Sequence, residues 1–131
     1  MLLPNSFKPL ISLLLIVNAV TATDVNCNFQ GTPGQGYYAC QPSSMDAITS
    51  QSQAINVIQN HVSGGSDALV NYLIINSPVV INYMPSKIFD SFHNLIYINV
   101  QQAQLKALNT NAIYNCANLT QFYLYGNQIA N

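Results

Sequence analysis

Apolar residues in the second half of the chain follow a long period. Leu95, Ile98, Val100 and Leu105 match Leu119, Phe122, Leu124 and Ile129 at a constant offset of 24 in sequence number. Upstream, Val70, Leu73, Ile75 and Val80 match the same four positions at an offset of 25. Met84, Ile88, Phe89, Phe92 and Asn94 then match Leu108, Ala112, Ile113, Cys116 and Asn118 at 24 again, which puts one inserted residue between Val80 and Met84. Self-similarity at such a period marks a coil that carries one short strand per turn. Its apolar residues point inward and stack on the next turn, and the strands join in parallel. The alternative is a βαβ unit with strands spaced by chance. Residues 106–118 are too few for a crossover helix with its two loops.

The spacing L-x-x-L-x-L-x-x-N-x-L is that of a leucine-rich repeat. Its asparagine position holds Asn127 in the last repeat, with Pro78 and Ala103 in the two before it. The expected fold class is α/β: a short leucine-rich repeat solenoid over residues 68–131, with a curved parallel sheet on its concave side. About two and a half repeats fit, the last incomplete. Pro85 suits the first turn of a short helix. Phe89 and Phe92 fill the coil interior, and Ile113 and Cys116 take those places one repeat later.

Residues 1–22 read as a secretory signal peptide. Lys8 flanks an apolar run over residues 10–20, too short to span a bilayer, and the cut is expected after Ala22. Residues 23–67 read as a β-rich N-terminal cap over the first repeat, whose apolar edge must be covered. Cys27 and Cys40 flank Gly31-Thr32-Pro33-Gly34-Gln35-Gly36, a turn that can bring them together. In an oxidising compartment they are expected to pair, and closing such a loop stabilises by roughly 3 kcal/mol. A zinc site is the alternative, and it lacks further Cys or His at ligand spacing. Cys116 reads as a buried small hydrophobe, with an intermolecular disulfide as the other reading. Residues 47–62 are ambiguous: Ile48, Ile55, Ile58 and Val62 share a helical face, while Ile55 and Val57 alternate as in a strand.

The opening Cys27…Tyr38-x-Cys40, the stretch Ile55-x-x-Ile58-x-x-His61 and the stretch Ile88-Phe89-x-x-Phe92-x-Asn94-Leu95 carry a further likeness. With them, residues 24–131 resemble the N-terminal portion of secreted insect leucine-rich repeat proteins. The resemblance implies a strand at residues 55–58. It also implies an extracellular protein-binding module, of a kind that in some relatives serves innate immunity.

Composition narrows the chemistry. Only 5% of residues are charged, and 17 Asn with 11 Gln fill the gap. A net charge of −1 without a basic cluster excludes a phosphate-neutralising nucleic-acid surface. His61 and His93 stand at no recognisable catalytic spacing, so no enzyme, metal or cofactor is expected; His61 reads as a hydrogen-bonded structural residue and His93 as exposed. Residues alternating with the buried ones give a candidate binding face: Tyr72, Ile74, Asn76, Tyr97, Asn99, Gln101, Gln121, Tyr123 and Tyr125. Tyrosines and amides with no charge suit recognition of an extracellular protein, or of a glycan. Asn118-Leu119-Thr120 is the only N-x-S/T sequon, with glycosylation as one reading and a turn-bonding side chain as the other. The third repeat stops after its strand half. A fragment of a longer repeat protein, or a structural chain that self-associates through an uncapped C-terminal edge, is therefore expected beside the binding reading.

Overall fold

The computed structural model describes residues 22–45, 48, 50, 54–58, 60–108, 113 and 116–130. The leader expectation for residues 1–22 falls almost wholly outside them. The described residues form one six-stranded mixed sheet with little helix. Its strands are β1 (Thr23–Thr32), β2 (Tyr37–Met45), β3 (Ile55–Ile58), β4 (Tyr72–Asn76), β5 (Tyr97–Gln101) and β6 (Gln121–Tyr123). Their order across the sheet is β3-β1-β2-β4-β5-β6. A short 3-10 turn, Asp67–Leu69, precedes β4, and a four-residue helix α1, Ile88–Ser91, lies between β4 and β5.

The antiparallel pair β1–β2 is a hairpin. Gly34 and Gly36 take φ of +75° and +87° in its turn, a region that side chains with a Cβ avoid. Burial alternates along β1, with Val25, Cys27 and Phe29 inward and Asp24 and Asn28 outward. The register shifts between Asn26 and Cys27, where Ser43 is the extra residue of a bulge. Pro42, which cannot donate to a ladder, sits beside that bulge. The Cys27–Cys40 disulfide closes the hairpin with a Cα–Cα distance of 5.1 Å. Within the ambiguous stretch, residues 55–58 form a strand, while residues 47, 49, 51–53 and 59 lie outside the described residues; β3 pairs in parallel with β1 from Thr23↔Ile55 to Asn26↔Ile58.

Beyond the hairpin every pairing is parallel. β2 meets β4 at Ala39↔Tyr72 and Cys40↔Leu73. β4 meets β5 from Tyr72↔Tyr97 to Asn76↔Gln101, and β5 meets β6 from Tyr97↔Gln121 to Asn99↔Tyr123. The partners are offset by 25 across the first of these pairs and by 24 across the second, which are the intervals of the apolar repeat. Leu73, Ile75, Ile98 and Val100 are fully buried, while Phe122 and Leu124, in and just after β6, are half-buried. Phe89, Phe92 and Cys116 enter the same core.

One expectation about the insertion changes. Val80 is 40% exposed, whereas Ile81 is fully buried and its N–H donates to Ala103 O at 2.9 Å. Ile81, not Val80, thus corresponds to Leu105, and Tyr83 bridges Ala107 at an offset of 24. The extra residue is absorbed between Asn76 and Ile81. Val79, Val80 and Ile81 are all apolar, so the pattern alone could not place it.

Backbone carbonyls also tie together the segments that lead into neighbouring strands. Asn71 O accepts from Ile96 and Tyr97 N–H, and Ile96 O accepts from Thr120 and Gln121 N–H. Asn71 also joins the hairpin: its Oδ1 accepts from Tyr38 N–H at 2.8 Å and its Nδ2 donates to Gly36 O at 3.0 Å. Asn127 does the most bonding. Its Nδ2 donates to Val100 O at 2.7 Å and Leu124 O at 3.0 Å, while its Oδ1 accepts from Ala103 and Leu105 N–H at 3.1 and 3.2 Å. Removing it strands donors and acceptors that the turn cannot re-pair internally. Asn127→Ala is expected to lower the unfolding free energy by about 2 kcal/mol, read as a lower midpoint in urea at unchanged slope.

Candidate functional site

Alternation along β4 and β5 sends Leu73, Ile75, Ile98 and Val100 into the core and leaves Tyr72, Ile74, Asn76, Tyr97, Asn99 and Gln101 half-buried on the other side. Gln121 and Tyr123 continue that side on β6, both exposed. In-register parallel pairing then stacks like positions over one another, because each residue sits one strand spacing from its partner.

The result is a column of tyrosine rings across four adjacent strands. Tyr37 meets Tyr72 edge-on with centroids 4.8 Å apart. Tyr72 and Tyr97 stack at 4.9 Å with 28° between planes. Tyr97 and Tyr123 lie 5.6 Å apart, tilted by 46°. Such separations fall in the range where aromatic pairs attract beyond simple area burial. Tyr37 belongs to the hairpin, and repeat spacing carried no signal for it. Tyr123 reaches the column diagonally, since its register partner is Asn99.

Amides frame the column. Asn99 Nδ2 donates to the Tyr97 hydroxyl at 3.2 Å, and Asn99 Oδ1 is buried with no hydrogen-bond partner among the described residues. Gln41 Nε2 reaches Asn76 Oδ1 at 3.4 Å, and Gln41 Oε1 accepts from Gln30 at 2.7 Å. Ile74 lies between Tyr72 and Asn76, beside Asn99. Tyr125 departs from expectation. β6 ends at Tyr123, so Tyr125 lies in the following turn, 73% exposed, and no ring of the column touches it among the described residues. The strand stops there because Gly126, at φ +72°, turns the chain.

A second cluster lies in the hairpin region. Tyr38, 1% exposed, brings its hydroxyl 2.8 Å from His61 Nδ1, and His61 Nε2 lies 2.9 Å from Asp67 Oδ1. A carboxylate only accepts, so Nε2 carries a proton; in the neutral ring Nδ1 then accepts from the Tyr38 O–H. The His61 ring packs on Phe29 with centroids 3.9 Å apart. A Cβ added at Gly65 would strike the Tyr38 hydroxyl and His61 Cβ, so the loop closes tightly over this chain of bonds. The cluster joins β2 to the loop before β4. Its sequence separations match no motif, which left His61 without a named partner in the sequence. His93 is exposed at the turn before β5.

β2 diverges from β4 after Cys40, and a groove of about 520 Å³ opens there, lined by Ser43, Ser44, Met45, Ile48, Val79 and Tyr83 among others, with no charged side chain among the described residues. Among the described residues no group of three or more His, Cys, Asp or Glu could hold a metal ion, and no helix is long and apolar enough to cross a membrane.

A comparison with known protein families, curated proteins and solved structures finds no match. The tyrosine column and its surroundings therefore carry the functional reading.

Burial raises the Tyr38 phenol above its ordinary value of 10.0, with Asp67 adding to the shift and a backbone bond from Val62 opposing it. A raised folded value means the unfolded phenol ionises first. The contribution is intact below pH 10 and is lost as pH climbs past that value. Urea unfolding at about pH 8 and about pH 11 is expected to show a loss of stability that is smaller in Tyr38→Phe, whose ring cannot ionise.

Proposed function

We propose that this chain is a secreted leucine-rich repeat module that recognises an extracellular protein through its tyrosine and amide face. The single observation that carries the reading is the ring column Tyr37–Tyr72–Tyr97–Tyr123 across four adjacent strands, flanked by Asn76, Asn99, Gln101 and Gln121. No charged side chain is contributed by these positions. Tyrosine supplies broad contact area at low entropy cost, and stacking orders the rings before a partner arrives, so little freedom remains to be lost on binding.

The finer fold belongs to the same proposal. Residues 68–131 are read as successive coils of a solenoid, with residues 23–67 as its disulfide-bonded cap. The strand offsets of 25 and then 24 support this, as does the pair of backbone bonds repeated at Asn71 and Ile96. Secretion is supported by the apolar leader pattern and by the Cys27–Cys40 disulfide, a bond that persists in oxidising compartments.

Protein is favoured over glycan by the ring geometry. Sugars stack on open ring faces, whereas Tyr72 and Tyr97 turn their faces toward each other and present edges and hydroxyls. Edges and hydroxyls, with amides beside them, suit peptide groups and mixed side chains.

The test uses the immobilised chain and extracellular fluid from its source. A protein retained by the wild type is expected to be lost with Tyr97→Ala/Tyr123→Ala, at least tenfold in retained amount, while the Cys27–Cys40 disulfide and cooperative unfolding persist. Equal retention by a folded double variant contradicts the site.

A further inference from the structure

We infer that Asn118 carries an N-linked glycan, attached at the turn that leads into β6. The inference rests on the extracellular reading above. Asn118-Leu119-Thr120 is the only sequon in the chain, and its asparagine is exposed in the turn at residues 117–118. An acceptor asparagine must offer a free amide on the surface, with a hydroxyl residue two places on.

The preceding repeat supplies an internal contrast. Asn94 occupies the same position one repeat earlier, and its Nδ2 donates to Ala68 O at 2.8 Å. The residue two places after it is Ile96, with no hydroxyl. At Asn118 both features change together: the amide makes no hydrogen bond among the described residues, and Thr120 supplies the hydroxyl. The flanks are held while the acceptor is left out. Leu119 is half-buried against the core, and Thr120 Oγ1 donates to Ile96 O at 3.1 Å. Asn118 is thus not needed to hold its own turn.

That engaged hydroxyl also sets the order of events. Transfer precedes the pairing of β6 with β5, while Thr120 is still free. The donor is a lipid diphosphate-linked oligosaccharide of the secretory pathway. A bond forms between Asn118 Nδ2 and the anomeric carbon of the first sugar. That carbon's bond to the diphosphate oxygen breaks, the lipid diphosphate leaves, and the amide nitrogen gives up one proton. The attachment point lies at the entry to β6, outside the tyrosine column, so the glycan and the proposed binding face coexist.

The test expresses the full chain in a secreting eukaryotic cell under its own leader and, separately, under an established secretory leader. Intact mass is read on material in the medium and within the secretory compartment, before and after treatment with an amidase that hydrolyses the bond between asparagine and the first sugar. The expected result is loss of the mass of one oligosaccharide, with Asn118 converted to aspartate. Asn118→Gln should lack that mass, and Thr120→Ser should keep it. An unmodified Asn118 in the secretory compartment under the established leader overturns the inference. Glycosylation under that leader, with no entry under the chain's own, upholds the acceptor site and contradicts the extracellular reading instead.

Discussion

Parallel register is the constraint on which the rest depends. Side chains alternate with a period of two, so a slip of one residue would turn Leu73, Ile75, Ile98 and Val100 outward and send Tyr72 and Tyr97 into the core. The offset between β4 and β5 is 25 and that between β5 and β6 is 24, yet the core and the tyrosine face stay on their own sides throughout. The extra residue is therefore taken up after β4, between Asn76 and Ile81, where the chain has left the ladder. Both the buried stack and the exposed column follow from this one alignment.

Short strands of three to five residues need help to hold such a register. Side-chain amides provide much of it. Asn71 fastens the hairpin to β4 through Tyr38 and Gly36, and Asn127 fastens the turn after β6 to Val100, Ala103 and Leu105. Amides suit the task because each offers both donors and acceptors and carries no charge to desolvate. This accounts for part of an unusual composition, in which Asn and Gln abound and ionic residues are few. The Tyr38–His61–Asp67 chain adds a second fastening between hairpin and loop.

The strands β4, β5 and β6 were legible in the sequence because two sets of apolar positions repeat together. The hairpin and its disulfide were legible from the glycines between Cys27 and Cys40. Three features were hidden for physical reasons. Val79, Val80 and Ile81 are equally apolar, so only the backbone bond from Ile81 to Ala103 decides which one matches Leu105. Tyr37 lies outside the repeat and joins the column through the pairing of β2 with β4, a long-range contact with no local spacing. Tyr125 shares the alternation of β6, but the strand ends before reaching it. The chemistry of the face was legible as a composition of tyrosines and amides; the extension of the column to β6 was not, since it depends on Tyr123 meeting Tyr97 diagonally.

The central claim is that one register creates both the core and an ordered aromatic face. The most direct measurement is nuclear Overhauser contact between ring protons in protein labelled selectively at tyrosine. A continuous chain of ring-to-ring contacts is expected from Tyr37 through Tyr72 and Tyr97 to Tyr123, with Tyr125 outside it. A folded protein in which Tyr72 and Tyr97 show no mutual contact would contradict the register, and with it the proposed binding face.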